Sequence, residues 1–158
     1  MKGCKNLVIM CMDYRFQIPI YSWLKNRGIL GDCDVISVAG SSLNLLSNAD
    51  HLNFILNQIE LAHKRHGIEK IFIFHHEDCA ALGDTSMDTE DQIKFHHEKM
   101  DLAVKLLNSH FSDITIKKYF ISHKGEFHPS PGTQNFGSTF CTESQKLEYS
   151  CSNKYQVE

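Results

Sequence analysis

A chain of 158 residues with 16 Lys and Arg against 19 Asp and Glu carries a formal net charge of −3; it has the length of one ordinary domain and no basic block to neutralise a run of phosphates, which argues against nucleic acid as a partner. No stretch approaches the ~20 continuous apolar residues of a membrane span, and the first residues lack the apolar core and cleavage site of a secretion signal, so a soluble, cytoplasmic protein with no membrane contact is expected. Its cysteines, Cys4, Cys11, Cys33, Cys79, Cys141 and Cys151, are accordingly expected as reduced thiols, and the absence of any CxxC pair sets aside thioredoxin-type and zinc-ribbon readings.

Leu7 to Cys11 is an apolar run too short for a helix and suits a strand buried on both faces. Ile18 to Lys25, with Pro19 in a first turn, predicts a short helix that stops by Gly28. Asp34 to Val38 predicts a second strand, and the small residues Ala39-Gly40-Ser41-Ser42 after it suit a tight turn or a close ligand approach. From Ser47 to His66, apolar residues recur at Leu52, Ile55, Leu56, Ile59 and Ala62, which is one helical face, and Gly67 supplies the stop. Lys70 to Phe74 predicts a third strand running straight into His75-His76-Glu77-Asp78-Cys79. Thr89-Glu90-Asp91-Gln92 has capping-box spacing and opens a helix to Phe111, with Ile93, Met100, Ala103, Val104 and Leu107 on its apolar face. Ile114 to Ser122 reads as the last strand. Strands alternating with helices indicate an α/β domain with a mostly parallel β-sheet over residues 1–123. Residues 124–158 form an extension, irregular or packed on the domain or a partner. His63, His66, His96, His97 and His110 fall in helical stretches and are expected at the surface or its boundary.

In open parallel sheets the ligand site lies at the carboxyl ends of the strands. Two polar clusters sit there, one after the first strand and one after the third. Cys11, His76 and Cys79 offer two sulfurs and a nitrogen, a set suited to tetrahedral zinc, and three protein ligands leave a fourth position open. Asp13 and Arg15 follow Cys11 at i+2 and i+4, so in extended chain they share its face. There a carboxylate accepts a hydrogen bond from metal-bound water, and a guanidinium orients it and keeps it ionised. Asp13 could instead swing onto the metal and close the site. Taken singly, Cys11 reads as a core thiol and Asp-x-Arg as an ion pair or helix cap; their joint placement at one end of two strands points to a metal.

Cys11-Met12-Asp13-Tyr14-Arg15, followed downstream by His76-Glu77-Asp78-Cys79, resembles the Cys-x-Asp-x-Arg and His-x-x-Cys signature of the β-class carbonic anhydrases. The resemblance covers residues 6–122. It implies a parallel sheet of four or more strands, Zn2+ held by Cys11, His76 and Cys79, and Asp13 with Arg15 as a catalytic dyad. The activity it implies is reversible hydration of carbon dioxide to bicarbonate by zinc-bound hydroxide, in a homodimer or higher homo-oligomer. His75 and His123 are candidate proton shuttles. Two departures stand out: Ala80 occupies a position where the family usually has glycine, and Ser37-Val38 replace an Arg-Asn pair ahead of Ala39-Gly40. Two other readings stay open, a hydrolase of a carbon dioxide analogue such as carbonyl sulfide or carbon disulfide, and a non-catalytic zinc-binding or thiol-sensing module.

Overall fold

The computed structural model describes residues 3–82 and 86–130. The first apolar run forms strand β1 (Asn6–Met10), buried at every position because it lies inside the sheet with both faces covered. β1 pairs in parallel with β2 (Cys33–Ser37) on one side and β3 (Lys70–His76) on the other. β3 pairs in parallel with β4 (Thr115–Ile121), and β5 (Phe127–Pro129) closes the far edge antiparallel to β4. The order is β2-β1-β3-β4-β5, the mostly parallel α/β sheet expected from the sequence.

Three helices cover the sheet. Strand β3 shows how its alternation sorts them, since successive side chains point to opposite faces. Phe72 and Phe74 join Val8, Met10 and Tyr119 beneath α1 (Tyr14–Asn26), which contributes Phe16, Ile20, Trp23 and Leu24. Ile71 and Ile73 join Leu7 and Ile9 on the other face. There α2 (Ala49–His66) packs Ile55, Ile59 and Ala62, and α3 (Thr89–His110) packs Met100, Ala103 and Leu107. No helix among the described residues is long and apolar enough to cross a membrane.

Several local expectations need correction. Helix α1 begins at Tyr14 because the Asp13 side chain accepts from Arg15 N and caps it, which leaves Pro19 inside the helix rather than in its first turn. The α3 cap is Asp88, whose side chain accepts from Asp91 N, so Thr89 and Gln92 do not form the capping box. A 3-10 helix over Ser41–Leu46 had no counterpart in the sequence reading. Ile114 to Ser122 does not contain the last strand: a turn in which Gly125 N donates to Ser122 O at 2.8 Å, with Gly125 at φ +77, returns Phe127–Pro129 against β4. Residues 131–158, including Cys141 and Cys151, lie outside the described residues.

Candidate metal centre

β1 and β3 are adjacent and in register, Ile9 opposite Ile73, so they leave the sheet side by side at the point where the chain connections diverge. Cys11 is the first residue past β1 and His76 the last of β3. Cys79 follows a turn in which Asp78 takes a left-handed φ of 53. One donor atom from each of Cys11, His76 and Cys79 lies within 4.8 Å of the others, and all three residues are buried.

The hydrogen bonds around these donors leave a gap. His76 Nδ1 lies 2.8 Å from Glu77 O; a carbonyl only accepts, so Nδ1 carries the ring proton and Nε2 keeps a free lone pair. That Nε2 is buried with no hydrogen-bond partner, an arrangement costly to maintain unless something else occupies the lone pair. Phe16 stacks on the ring at 4.3 Å and fixes its plane. Gly40 N donates to Cys11 Sγ at 3.4 Å. Gly40 has φ +77, and a Cβ on it would lie 2.8 Å from the Ala81 methyl, so the close approach needs glycine. The neighbouring Cys79 thiol and then the His76 ring draw the Cys11 thiol down, and the Cys11 sulfur with burial pushes Cys79 up. Two buried cysteine sulfurs and a free imidazole nitrogen are donors of the kind that a borderline-soft divalent cation takes.

Asp13 and Arg15 do meet, though not as neighbours in extended chain. Asp13 is a helix cap and Arg15 lies in the first turn; the guanidinium reaches back with Nε at 3.0 Å from Oδ1 and Nη2 at 2.6 Å from Oδ2. The plain reading, a cap and ion pair, and the functional one therefore describe the same geometry. Arg15 holds the Asp13 carboxyl down to about 2. Arg15 Nη2 also donates to Asp78 O at 3.2 Å, tying the first loop to the second. Asp13 Oδ2 sits 4.0 Å from His76 Nε2.

Supporting residues escaped the sequence reading. Gln92 grips the loop between His76 and Cys79 from α3: its Oε1 accepts from Asp78 N at 2.8 Å and its Nε2 donates to Asp78 Oδ1 at 3.2 Å. Glu77 accepts from Thr89 Oγ1 at 2.5 Å and from His123 N at 2.7 Å. The His123 ring pairs with Asp78 Oδ2 at 2.7 Å and is half-exposed. His75, by contrast, is buried, with Nε2 2.7 Å from Ser42 Oγ and Nδ1 3.0 Å from His96 Nδ1. His96 is buried too, not at the surface as expected. Among the described residues a cleft of about 570 Å3 opens beside the Gly40 turn, lined by Ala39, Leu43, Ala81, Leu82, Phe95 and Lys99 among others.

Comparison with known proteins places this geometry. Residues 1–130 match the family model described as "Putative carbonic anhydrase", and the chain belongs to that family. An uncharacterized protein of Rickettsia bellii (strain RML369-C) is 25% identical over 127 residues, spanning 75% of this chain and 77% of that protein. The carbonic anhydrase of Streptococcus mutans superposes with a TM-score of 0.59 at 19% identity, covering 82% of this chain and 84% of that one. A tetrameric β-carbonic anhydrase of Sordaria macrospora gives 0.58 at 16% identity, covering 82% and 81%. At such identities the likeness speaks for the fold, which is that of the β-carbonic anhydrases.

Proposed function

We propose that this protein is a zinc enzyme that hydrates carbon dioxide reversibly, with Cys11, His76 and Cys79 as metal ligands and Asp13 and Arg15 as the working pair. The observation that carries the reading is the unsatisfied His76 Nε2, buried within a two-sulfur, one-nitrogen cluster and facing a carboxylate 4.0 Å away. Zinc held by these residues supplies Lewis acidity, which makes a nucleophile of water at neutral pH.

The chain's own groups do the rest. Both Asp13 oxygens are engaged by Arg15, which holds the carboxylate back from the three donors and favours an open fourth position over its closure by Asp13. With a metal held by the three donors, an ionised Asp13 would accept a hydrogen bond from water and so orient its oxygen toward the substrate. The apolar part of the cleft beside the Gly40 turn, Ala39, Leu43, Ala81 and Leu82, would suit a small substrate without charge. A proton leaving the site has one half-exposed imidazole nearby, His123; His75 is sealed between Ser42 and His96 and faces away from solvent. Assembly as a homo-oligomer, as in the tetrameric Sordaria macrospora enzymes, is part of the same reading.

Stopped-flow measurement of carbon dioxide hydration on wild type and Asp13→Asn, each at known zinc content, tests it. Zinc-dependent turnover in wild type that falls in the variant is the expected result. Equal buffer-level rates from both proteins, or turnover of carbonyl sulfide alone, overturn it.

A further inference from the structure

At the other end of the sheet, away from Cys11 and His76, a second set of unlike donors converges. Cys4 Sγ, an Asp34 carboxylate oxygen and a His66 ring nitrogen all lie within 4.8 Å of one another. They come from three segments: the chain entering β1, edge strand β2, and the last residue of α2. We propose that Cys4, Asp34 and His66 form a second metal site, which takes a borderline-soft divalent cation such as zinc or cobalt independently of the first.

The donors are brought together by backbone, not merely by attraction for each other. Glu69 N and Lys70 N both donate to Lys5 O, at 2.8 and 3.1 Å, locking the residue after Cys4 to the start of β3. Asn6 pairs with Cys33 in the β1–β2 register, and its side-chain amide donates to Asp32 O at 2.8 Å, which sets Asp34 beside the entering chain. Gly3 packs so closely on the end of α2 that a Cβ there would fall 2.2 Å from His66 O, so glycine lets the chain pass against the very residue that supplies the imidazole. Preorganised donors bind a cation without first having to order the chain.

The chemistry of the set favours a metal over its rivals. Sulfur, nitrogen and carboxylate oxygen together match zinc or cobalt rather than calcium or magnesium, which take oxygen alone. A nucleophilic thiol is the other use of a Cys-His-Asp cluster. Here the Cys4 thiol donates to Asn6 O at 3.6 Å rather than to the His66 ring, whose Nδ1 is engaged by Asp34 Oδ2 at 2.6 Å, so the imidazole is not set as a base on the thiol. With a cation bound, the thiol proton leaves to solvent, and one thiolate and one carboxylate balance the double positive charge. All three residues are only half-buried, so solvent completes the coordination and the ion exchanges.

The test starts from the full chain carrying a single equivalent of zinc and titrates it with Co2+, reading bound metal after gel filtration and the near-ultraviolet thiolate-to-cobalt charge-transfer band. Wild type is expected to take up one further equivalent with the band and to melt at a higher temperature. Cys4→Ser should lose the band and the added equivalent, and His66→Gln should weaken uptake about tenfold or more. Cys11→Ser should retain the event, which separates it from the carbon dioxide reading. No cobalt beyond exchange into the first site overturns the proposal, as does a band that survives unchanged in Cys4→Ser and His66→Gln, which would assign it to other thiols of the chain.

Discussion

His75 and His76 are neighbours at the end of one strand, and they face opposite sides of the sheet with opposite fates. On the α3 side His75 has both ring nitrogens engaged, by Ser42 and His96, and is a satisfied core residue. On the α1 side His76 has one nitrogen tied to Glu77 O and the other buried with nothing to bond. Burial is the same for both, 2% exposed, so burial does not distinguish a ligand from a structural histidine. Nor does an orphaned nitrogen by itself, since His96 Nε2 is buried without a partner too; what sets His76 apart is that its free nitrogen lies with two cysteine sulfurs.

Removing a donor on the His76 side should have the largest effect. Cys79→Ser replaces a sulfur ligand by a hydroxyl with little affinity for zinc, so metal analysis after dialysis should find the zinc lost and carbon dioxide hydration reduced to background; full zinc retention would assign the metal to other residues. Next comes Asp13→Asn, which keeps the cap geometry but removes the charge that orients a hydroxyl. Turnover should fall ~100-fold or more at unchanged zinc content, because Arg15 holds Asp13 ionised at every pH above about 2. Gln92→Ala touches neither donors nor dyad. It frees Asp78 N and the Asp78 carboxylate and lets the loop that carries Cys79 relax, so zinc affinity should drop ~10-fold, and Gln92→Glu, which sets a second carboxylate against Asp78 Oδ1 and Met87 O, should lose at least as much. Equilibrium competition with a zinc chelator measures both.

The contrast between the two histidines also marks how far the sequence could be read. Strands β1 and β3 were legible because short apolar runs have few alternatives, and the meeting of Cys11, His76 and Cys79 was legible because donor type and strand-end position agree. Gln92 stands at capping-box spacing from Thr89, but Asp88 takes the cap and the Gln92 amide is left to hold the loop between His76 and Cys79. His96 was misassigned although a signal existed. The buried stripe of α3 is Gln92, His96, Met100, Ala103 and Leu107, spaced four, four, three and four along the chain, and a polar first half hid a helical face that hydrophobicity alone places at Ile93. Strand β5 spans Phe127–Pro129, too short for any periodicity, and becomes a strand only because β4 offers an open edge.

The smallest effect on the site, and the sharpest test of the α3 side, is the pH dependence of stability. His96 and His97 are each pushed down to about 4 by burial; the charges of His76 and His97 add to it for His96, and those of Lys118 and His128 for His97. His75 is also pushed down, by burial and then by His96, His76 and His97. In the unfolded chain an imidazole takes its proton near pH 6.5, so between about 6.5 and 4 the unfolded state binds more protons, and stability falls as pH falls through that window. His96, buried at 1% exposure, accounts for on the order of 3 kcal/mol of that loss. The Asp13 carboxyl acts in a different window, its contribution present above 3.8 and lost toward about 2, and its partner Arg15 is exposed enough for solvent to screen much of it. Urea melts of the zinc-free protein at steps from pH 7 to 4, where ligand competition with metal plays no part, should show the wild-type slope reduced by about a third in His96→Leu. Parallel slopes in the two proteins would mean that His96 is already charged in the folded state, and the division between a satisfied and an unsatisfied histidine at the end of β3 would then need a different physical basis.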